Sequence, residues 1–398
     1  MDKPLHVLMQ GFSGDIGLTY HLTKLAVGLK HQGIDVVLIT TQREQEPGLK
    51  ETLRENGINY YESNIINKRF WNLLAMYRGM HEISHIATSE SIDIIHIHGC
   101  LFPAYLAAKL TLVGRRASII ETVNFMDLRN TMISRFIQKM ANMLTKRYAD
   151  IVVPVSEQLG QKLIALGFNR EKIMVTHWGI DLEKFDRAKQ SKKFLQKYWA
   201  LLQCLKGKNV IIQSAYLYGW KGQEIMLKAA PMILQEFPET KFLFCGDGPT
   251  KKGLFSLANN LGLNDSVIFT GWVESDFIPV LLDHANIGAV LSSSETFSIA
   301  AIETMAAGKP VIMTPVGVAP EIITNNNRVG YIISHNDPNA LAKAVIDLLN
   351  DPVKAKVMGS RGRKVVEEKF TINEIACRYK EVYNIALKDT DLNQESIL

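Results

Sequence analysis

The chain has 398 residues, of which 47% are hydrophobic and 21% charged, and a formal net charge of +5. That length exceeds one ordinary core and implies two or three domains, while the composition excludes disordered and fibrous classes. The mild positive balance does not call for nucleic acid and suits a protein that meets anions, either phosphates or an acidic membrane surface.

In chain order, Leu5–Met9 reads as a first buried strand rather than as a leader peptide. Leu18, Leu22, Leu25 and Leu29 then recur at helical spacing until Gly33, and Val36–Thr40 is the next strand. The apolar stretch Ile92–Val113 contains Asp93, His96, His98, Pro103 and Lys109, which are costly in lipid, so it reads as strand, turn and helix rather than as a membrane span. Ile92–His98, Ser118–Val123 and Ile151–Val155 are further strands. After about residue 190 the alternation restarts with strands at Asn209–Gln213, Lys241–Cys245, Ser266–Phe269, Ile287–Leu291 and Pro310–Thr314. Helical segments such as Gln223–Phe237 and Ala340–Leu349 lie between them. Two βαβ series with continuously apolar strands predict an α/β protein of two Rossmann-like domains, each a doubly wound parallel sheet. The expected division is 1–185, 190–370 and a last segment 371–398, whose helix near Ile372–Ala386 fits either domain and whose polar tail from Lys388 is expected to fray. Cys100, Cys204, Cys245 and Cys377 form no CxxC pair, which gives no zinc-ribbon or redox motif and fits a reducing cytoplasm.

The segment SSSETFSIAAIETMAAGKPVIMTPVGVAPEII, residues 292–323, is the richest in chemistry. Ile287–Leu291 ends in a Ser-rich turn, and a helix is expected to begin near Phe297–Ser298 and stop at Gly308. The amides of Phe297, Ser298 and Ile299 then lack intrahelical partners and, with the helix dipole, suit a diphosphate. Glu295 lies in the turn and Glu303 roughly 7–8 Å along the helix. Each carboxylate has two acceptor oxygens for a vicinal diol. An isolated pair of this kind is more often a turn acid and a solvated helix residue.

Ser-Ser-x-Glu-x-Phe-Ser followed by Glu-x-Met-Ala-x-Gly-x-Pro-Val strongly resembles the donor segment of glycosyltransferase family 4, whose paired glutamates are separated by seven residues. The resemblance continues in LFCGDGP (243–249, with Gly246), FTGWV (269–273, whose Val273 end faces the base), TPVGVAPEII and GWKGQEIMLKAA, which supplies Lys221. In the first half it is looser: QGFSGDIGLTYHL aligns Gly17 with the second glycine of a pair, DIIHIHG ends in His98, VVPVSE ends a strand in serine, and THWGIDLEKF puts Trp178 where the family has asparagine. Two departures stand out, Tyr216 in place of an arginine and Asn124 in place of a histidine.

The resemblance implies a GT-B fold and a retaining, metal-independent transfer from a UDP- or GDP-sugar to a glycan or lipid-linked acceptor, with no cofactor. Glu295, Lys221 and His98 are the catalytic candidates. Gly17, Gly246, Val273, Phe297, Ser298, Ile299 and Glu303 would bind the donor, Glu295 orienting its sugar and Glu303 its ribose. Asn124 and His98 would meet the acceptor. The basic amphipathic segments Asn67–Arg78 and Ile133–Arg147 read either as core-facing helices or as contacts to the inner face of a membrane. The two departures also admit a catalytically degenerate homologue that binds a sugar or a partner; an epimerase of the same fold would lack the paired glutamates.

Overall fold

The computed structural model describes residues 4–11, 16–41, 48–63, 73–98, 118–123, 132–188, 196 and 198–395. The chain divides into two compact units, one of Met1–Gly179 with Ile372–Leu398 and one of Ile180–Thr371.

The first unit holds six parallel strands, β1 (Leu5–Gly11), β2 (Ile34–Thr41), β3 (Asn59–Ser63), β4 (Ile94–His98), β5 (Ser118–Val123) and β6 (Ile151–Pro154), in the order β3-β2-β1-β4-β5-β6. Successive side chains go to opposite faces. Val7 and Met9 join Leu22, Leu25 and Leu29 of the helix Ile16–His31, whereas Leu8 joins Ile83, Ile86 and Leu144 beneath the other face. With both faces covered, the strands are apolar throughout. The C-terminal helix Ile372–Glu395 belongs to this unit: Ile375, Tyr379, Val382 and Tyr383 pack into the same core as Leu22 and Leu25. Its backbone stays helical past Lys388 to Glu395, where fraying was expected; no Gly or Pro interrupts that stretch.

The second unit repeats the plan with β7 (Val210–Ser214), β8 (Lys241–Cys245), β9 (Val267–Gly271), β10 (Ile287–Val290), β11 (Val311–Met313) and β12 (Gly330–Ile332), ordered β12-β11-β10-β7-β8-β9. In each sheet the connection order reverses beside the first strand, between β1 and β4 and between β7 and β10. Such reversals open a crevice at the carboxyl ends of parallel strands, where ligands bind in open α/β sheets. The short edge strands β3 and β12 escape the sequence pattern, because an edge strand needs no continuous apolar run. Among the described residues, no helix is long and apolar enough to cross a membrane.

Candidate functional site

The reversal in the second sheet brings two loops together. The loop after β7 ends in a short turn, Gly219–Lys221, and the loop after β10 carries Ser292–Glu295. Gly222 makes their approach possible. It has φ 72°, and a Cβ there would stand 2.1 Å from the Leu291 carbonyl oxygen. The Ser293 amide donates to the Trp220 carbonyl at 2.7 Å, and the Gln213 side chain donates to the Lys221 carbonyl at 2.6 Å. Thr314 donates from its hydroxyl to the Ser292 carbonyl.

On this frame Lys221 Nζ donates to Glu295 Oε1 at 2.6 Å, and Ser292 Oγ donates to the same oxygen at 2.7 Å. Glu295 Oε2 has no partner among the described residues, and two of the three ammonium donors of Lys221 remain. The adjoining helix runs from Ile299 to Ala306, so it starts one to two residues later than the sequence pattern suggests. Ser298 caps it in a left-handed conformation, φ 94°, with its Oγ buried and without a partner among the described residues. A non-glycine residue held there is strained, and such strain gathers at functional sites. Gly317, φ 59°, lets the loop after β11 close over this cap; a Cβ would lie 2.4 Å from the Phe297 carbonyl oxygen, which accepts the Val318 amide.

The remaining second-unit candidates differ in what they can offer. Phe297 and Val273 turn their side chains into the core, so only their backbones can face a ligand. Ile299 is partly exposed at the first turn of the helix. Gly246 has φ 146°, and the space of its missing Cβ is taken by the Ala215 carbonyl, 2.1 Å away. Glu303 is half-buried. Desolvation pushes its carboxyl above the ordinary range, and the Lys184 ammonium opposes that rise. Lys184 is itself buried and pairs with Asp276 at 3.3 Å.

In the first unit, His98 ends β4 at the reversal point. His96 is saturated: Nδ1 meets the Tyr383 hydroxyl and Nε2 the Thr122 hydroxyl, both at 2.7 Å, and Thr122 shares a further hydrogen bond with Tyr379 at 2.9 Å. His98 lies against His96 with ring centroids 4.1 Å apart and planes tilted by 37°, and neither of its buried ring nitrogens has a hydrogen-bond partner among the described residues. His21 stacks on Trp178 at 4.0 Å. Burial holds His21 and His96 at about 3, and burial, with His96 and His21 nearby, lowers His98 as well. All three rings are therefore neutral near pH 7. Gly17 lies in the first turn of the helix Ile16–His31, inside the helix rather than in the loop before it. Asn124 lies outside the described residues.

Sequence reasoning did not reach Ser292, Gln213, Thr314 and Lys184 in the second unit, nor Thr122, Tyr379 and Tyr383 in the first. Ser292 had a signal, its place three residues before Glu295. Tyr379 and Tyr383 had none, since only tertiary packing brings them to His96.

Solved structures of the same architecture include a glycosyltransferase from Rickettsia africae, with TM-score 0.79, 23% identity and coverage of 97% of this chain and 99% of that one. Another is Alr3699/HepE of Anabaena in complex with UDP and glucose, with TM-score 0.76, 22% identity and coverage of 95% and 99%. The fold is thus GT-B. Residues 202–365 match the model for Glycosyl transferases group 1, and residues 17–184 match that for Glycosyltransferase Family 4. The N-acetyl-alpha-D-glucosaminyl L-malate synthase of Bacillus anthracis is 27% identical over 77% of this chain and 78% of its own length. The D-inositol 3-phosphate glycosyltransferase of Streptomyces scabiei is 24% identical over 97% of this chain and 90% of its own. The chain belongs to the family 4 type of glycosyltransferases and is a transferase enzyme.

Proposed function

We propose that this glycosyltransferase moves a sugar, with retention of configuration, from a nucleoside diphosphate sugar bound by the second unit to a glycan or lipid-linked acceptor bound by the first. The observation that carries the donor half is the Lys221–Glu295 pair, held beside the start of the helix Ile299–Ala306 with Glu295 Oε2 and two Lys221 donors uncommitted.

As the bond between sugar and diphosphate breaks, negative charge grows on the departing phosphate oxygens. Lys221, the first amides of the helix and the buried Ser298 hydroxyl are fixed donors for that charge, and donors set in place before the reaction need no reorganisation during it. The positive charge then comes from the protein, without a divalent metal. Glu295 Oε2 accepts from the donor sugar's hydroxyls, and Glu303 accepts from the ribose. A neutral His98, with neither nitrogen partnered among the described residues, hydrogen-bonds an acceptor hydroxyl. UDP and GDP both suit this reading, since the Anabaena structure holds UDP and a Mycolicibacterium smegmatis relative is named as a GDP-mannose-dependent mannosyltransferase.

The two glutamates separate by ligand. Glu303→Ala weakens binding of free nucleoside diphosphate roughly tenfold to a hundredfold, because a hydrogen bond to a charged group contributes about 1.5–3 kcal/mol. Glu295→Ala lowers turnover without weakening that affinity, since it releases the Lys221 ammonium from its carboxylate partner. Calorimetry with UDP, GDP and the intact sugar donors tests both. Equal nucleotide affinity in wild type and folded Glu303→Ala overturns the ribose role.

A further inference from the structure

Four large aromatic side chains are exposed together in the second unit. Tyr216, Tyr218, Trp220 and Trp272 are 44%, 36%, 40% and 51% exposed. Their rings are contiguous. Trp272 and Tyr216 have centroids 5.8 Å apart, Tyr216 and Tyr218 6.2 Å, and Tyr218 and Trp220 stack at 4.4 Å. A soluble chain seldom leaves such a patch uncovered without a use for it.

Two features say what the patch fits. First, it is built and rigid. Beyond β7 the backbone runs on in alternation, Leu217 buried between outward Tyr216 and Tyr218. The Ala215 and Leu217 amides donate to the Cys245 and Asp247 carbonyls at 2.9 Å, and Gln223 donates from its side chain to the Tyr216 carbonyl at 2.9 Å. Second, it ends at the reaction site. Trp220 precedes Lys221, and its carbonyl holds the loop that carries Glu295.

The charge of the surroundings narrows the occupant. Lys251, beside Gly271, is paired with Asp247 at 2.9 Å, and Tyr216 stands where the resemblance places an arginine. The four rings carry no charge and Lys251 is paired, which argues against an anionic ligand lying along them. All four residues are Trp or Tyr, whose rings join an apolar face to a polar tip. A pyranose has the matching form, with an apolar C–H face and hydroxyls around its rim.

We propose that Trp272, Tyr216, Tyr218 and Trp220 form a platform for a neutral oligosaccharide, whose sugar rings lie along the aromatic faces and whose end is delivered to Lys221 and Glu295. The platform deepens the proposed function, since it rests on Lys221 and Glu295 being the place of transfer. Tyr216 then favours a stacked neutral sugar where an arginine favours charge.

The test uses the full chain with Trp272→Ala, Tyr218→Ala and the double variant, and with Tyr218→Phe and Trp272→Phe as stacking controls. The side chains are exposed, so melting temperatures should match wild type. Maltohexaose, cellohexaose and mannohexaose are titrated by calorimetry and tryptophan fluorescence, and UDP and GDP in parallel. At least one oligosaccharide should bind, each alanine should weaken it about tenfold, and the phenylalanine variants should retain it. Nucleotide affinity should not move. If none of the three oligosaccharides binds, the platform is overturned. It is equally overturned if the alanine variants lose UDP or GDP affinity instead, which assigns the rings to the base, or lose binding to phosphatidylcholine vesicles, which assigns them to a lipid surface. Failure of the donor reading appears separately, in Glu303→Ala.

Discussion

The contact between the two loops of the second unit can be tested with one methyl group. Gly222 and Gly207 have almost the same backbone conformation, φ 72° and φ 73°, but beyond its chain neighbours no atom of the described residues lies within 4 Å of a Cβ built on Gly207. Alanine at either position meets the left-handed penalty of about 1–2 kcal/mol. Only at Gly222 does the new Cβ collide, 2.1 Å from the Leu291 carbonyl oxygen against a practical floor of 3.0 Å, so the strand end must retreat by 0.9 Å (3.0 − 2.1). Leu291 directly precedes Ser292, which donates to Glu295, and Gly222 directly follows Lys221. The displacement therefore falls on the 2.6 Å Lys221–Glu295 contact. A misplacement of about 1 Å can lower a rate roughly a hundredfold. Gly222→Ala should lose turnover on that scale, whereas Gly207→Ala should melt lower but turn over normally. Steady-state transfer and thermal melting of both variants decide the matter. Turnover of Gly222→Ala within about twofold of wild type would refute the reasoning, as would an equal loss in Gly207→Ala.

The buried histidines make the first unit sensitive to acid. His21 and His96 are held at about 3, below the ordinary 6.5, by burial. The stabilisation from keeping them neutral is full above pH 6.5 and is lost as pH falls from 6.5 towards 3. At pH 5 each costs about 2 kcal/mol. Hydrogen exchange should therefore show Ile372–Glu395 losing protection between pH 7.5 and 5 while Gln223–Glu236 of the second unit keeps it, and His96→Gln should flatten the change; equal loss in both units would count against this account. Transfer should also persist in EDTA, and an abolition that magnesium or manganese restores would rule out protein cations as the sole charge on the diphosphate.

The sequence by itself determined the doubly wound architecture, because strands buried on both faces must be apolar at every position and the helices between them must repeat at 3.6 residues. By resemblance it also singled out Lys221, Glu295 and Glu303 as candidates, the first two of which the structure brings into contact at 2.6 Å. What it could not determine were relations between segments distant in the chain. Nothing local in Ile372–Glu395 says that Tyr379 and Tyr383 will close a hydrogen-bonded network around His96, saturating that ring while His98 finds no partner for either nitrogen among the described residues. Nothing in FTGWV and AYLYGW says that Trp272 and Tyr216 will share a surface. Nor does the apolar pattern fix the start of the helix Ile299–Ala306, which the Gly317 loop sets by packing over Ser298. Periodicity along the chain reports which face of an element is buried, whereas a site is made by the few contacts at which one loop must meet another, and those distances exist only once the sheet has ordered its strands.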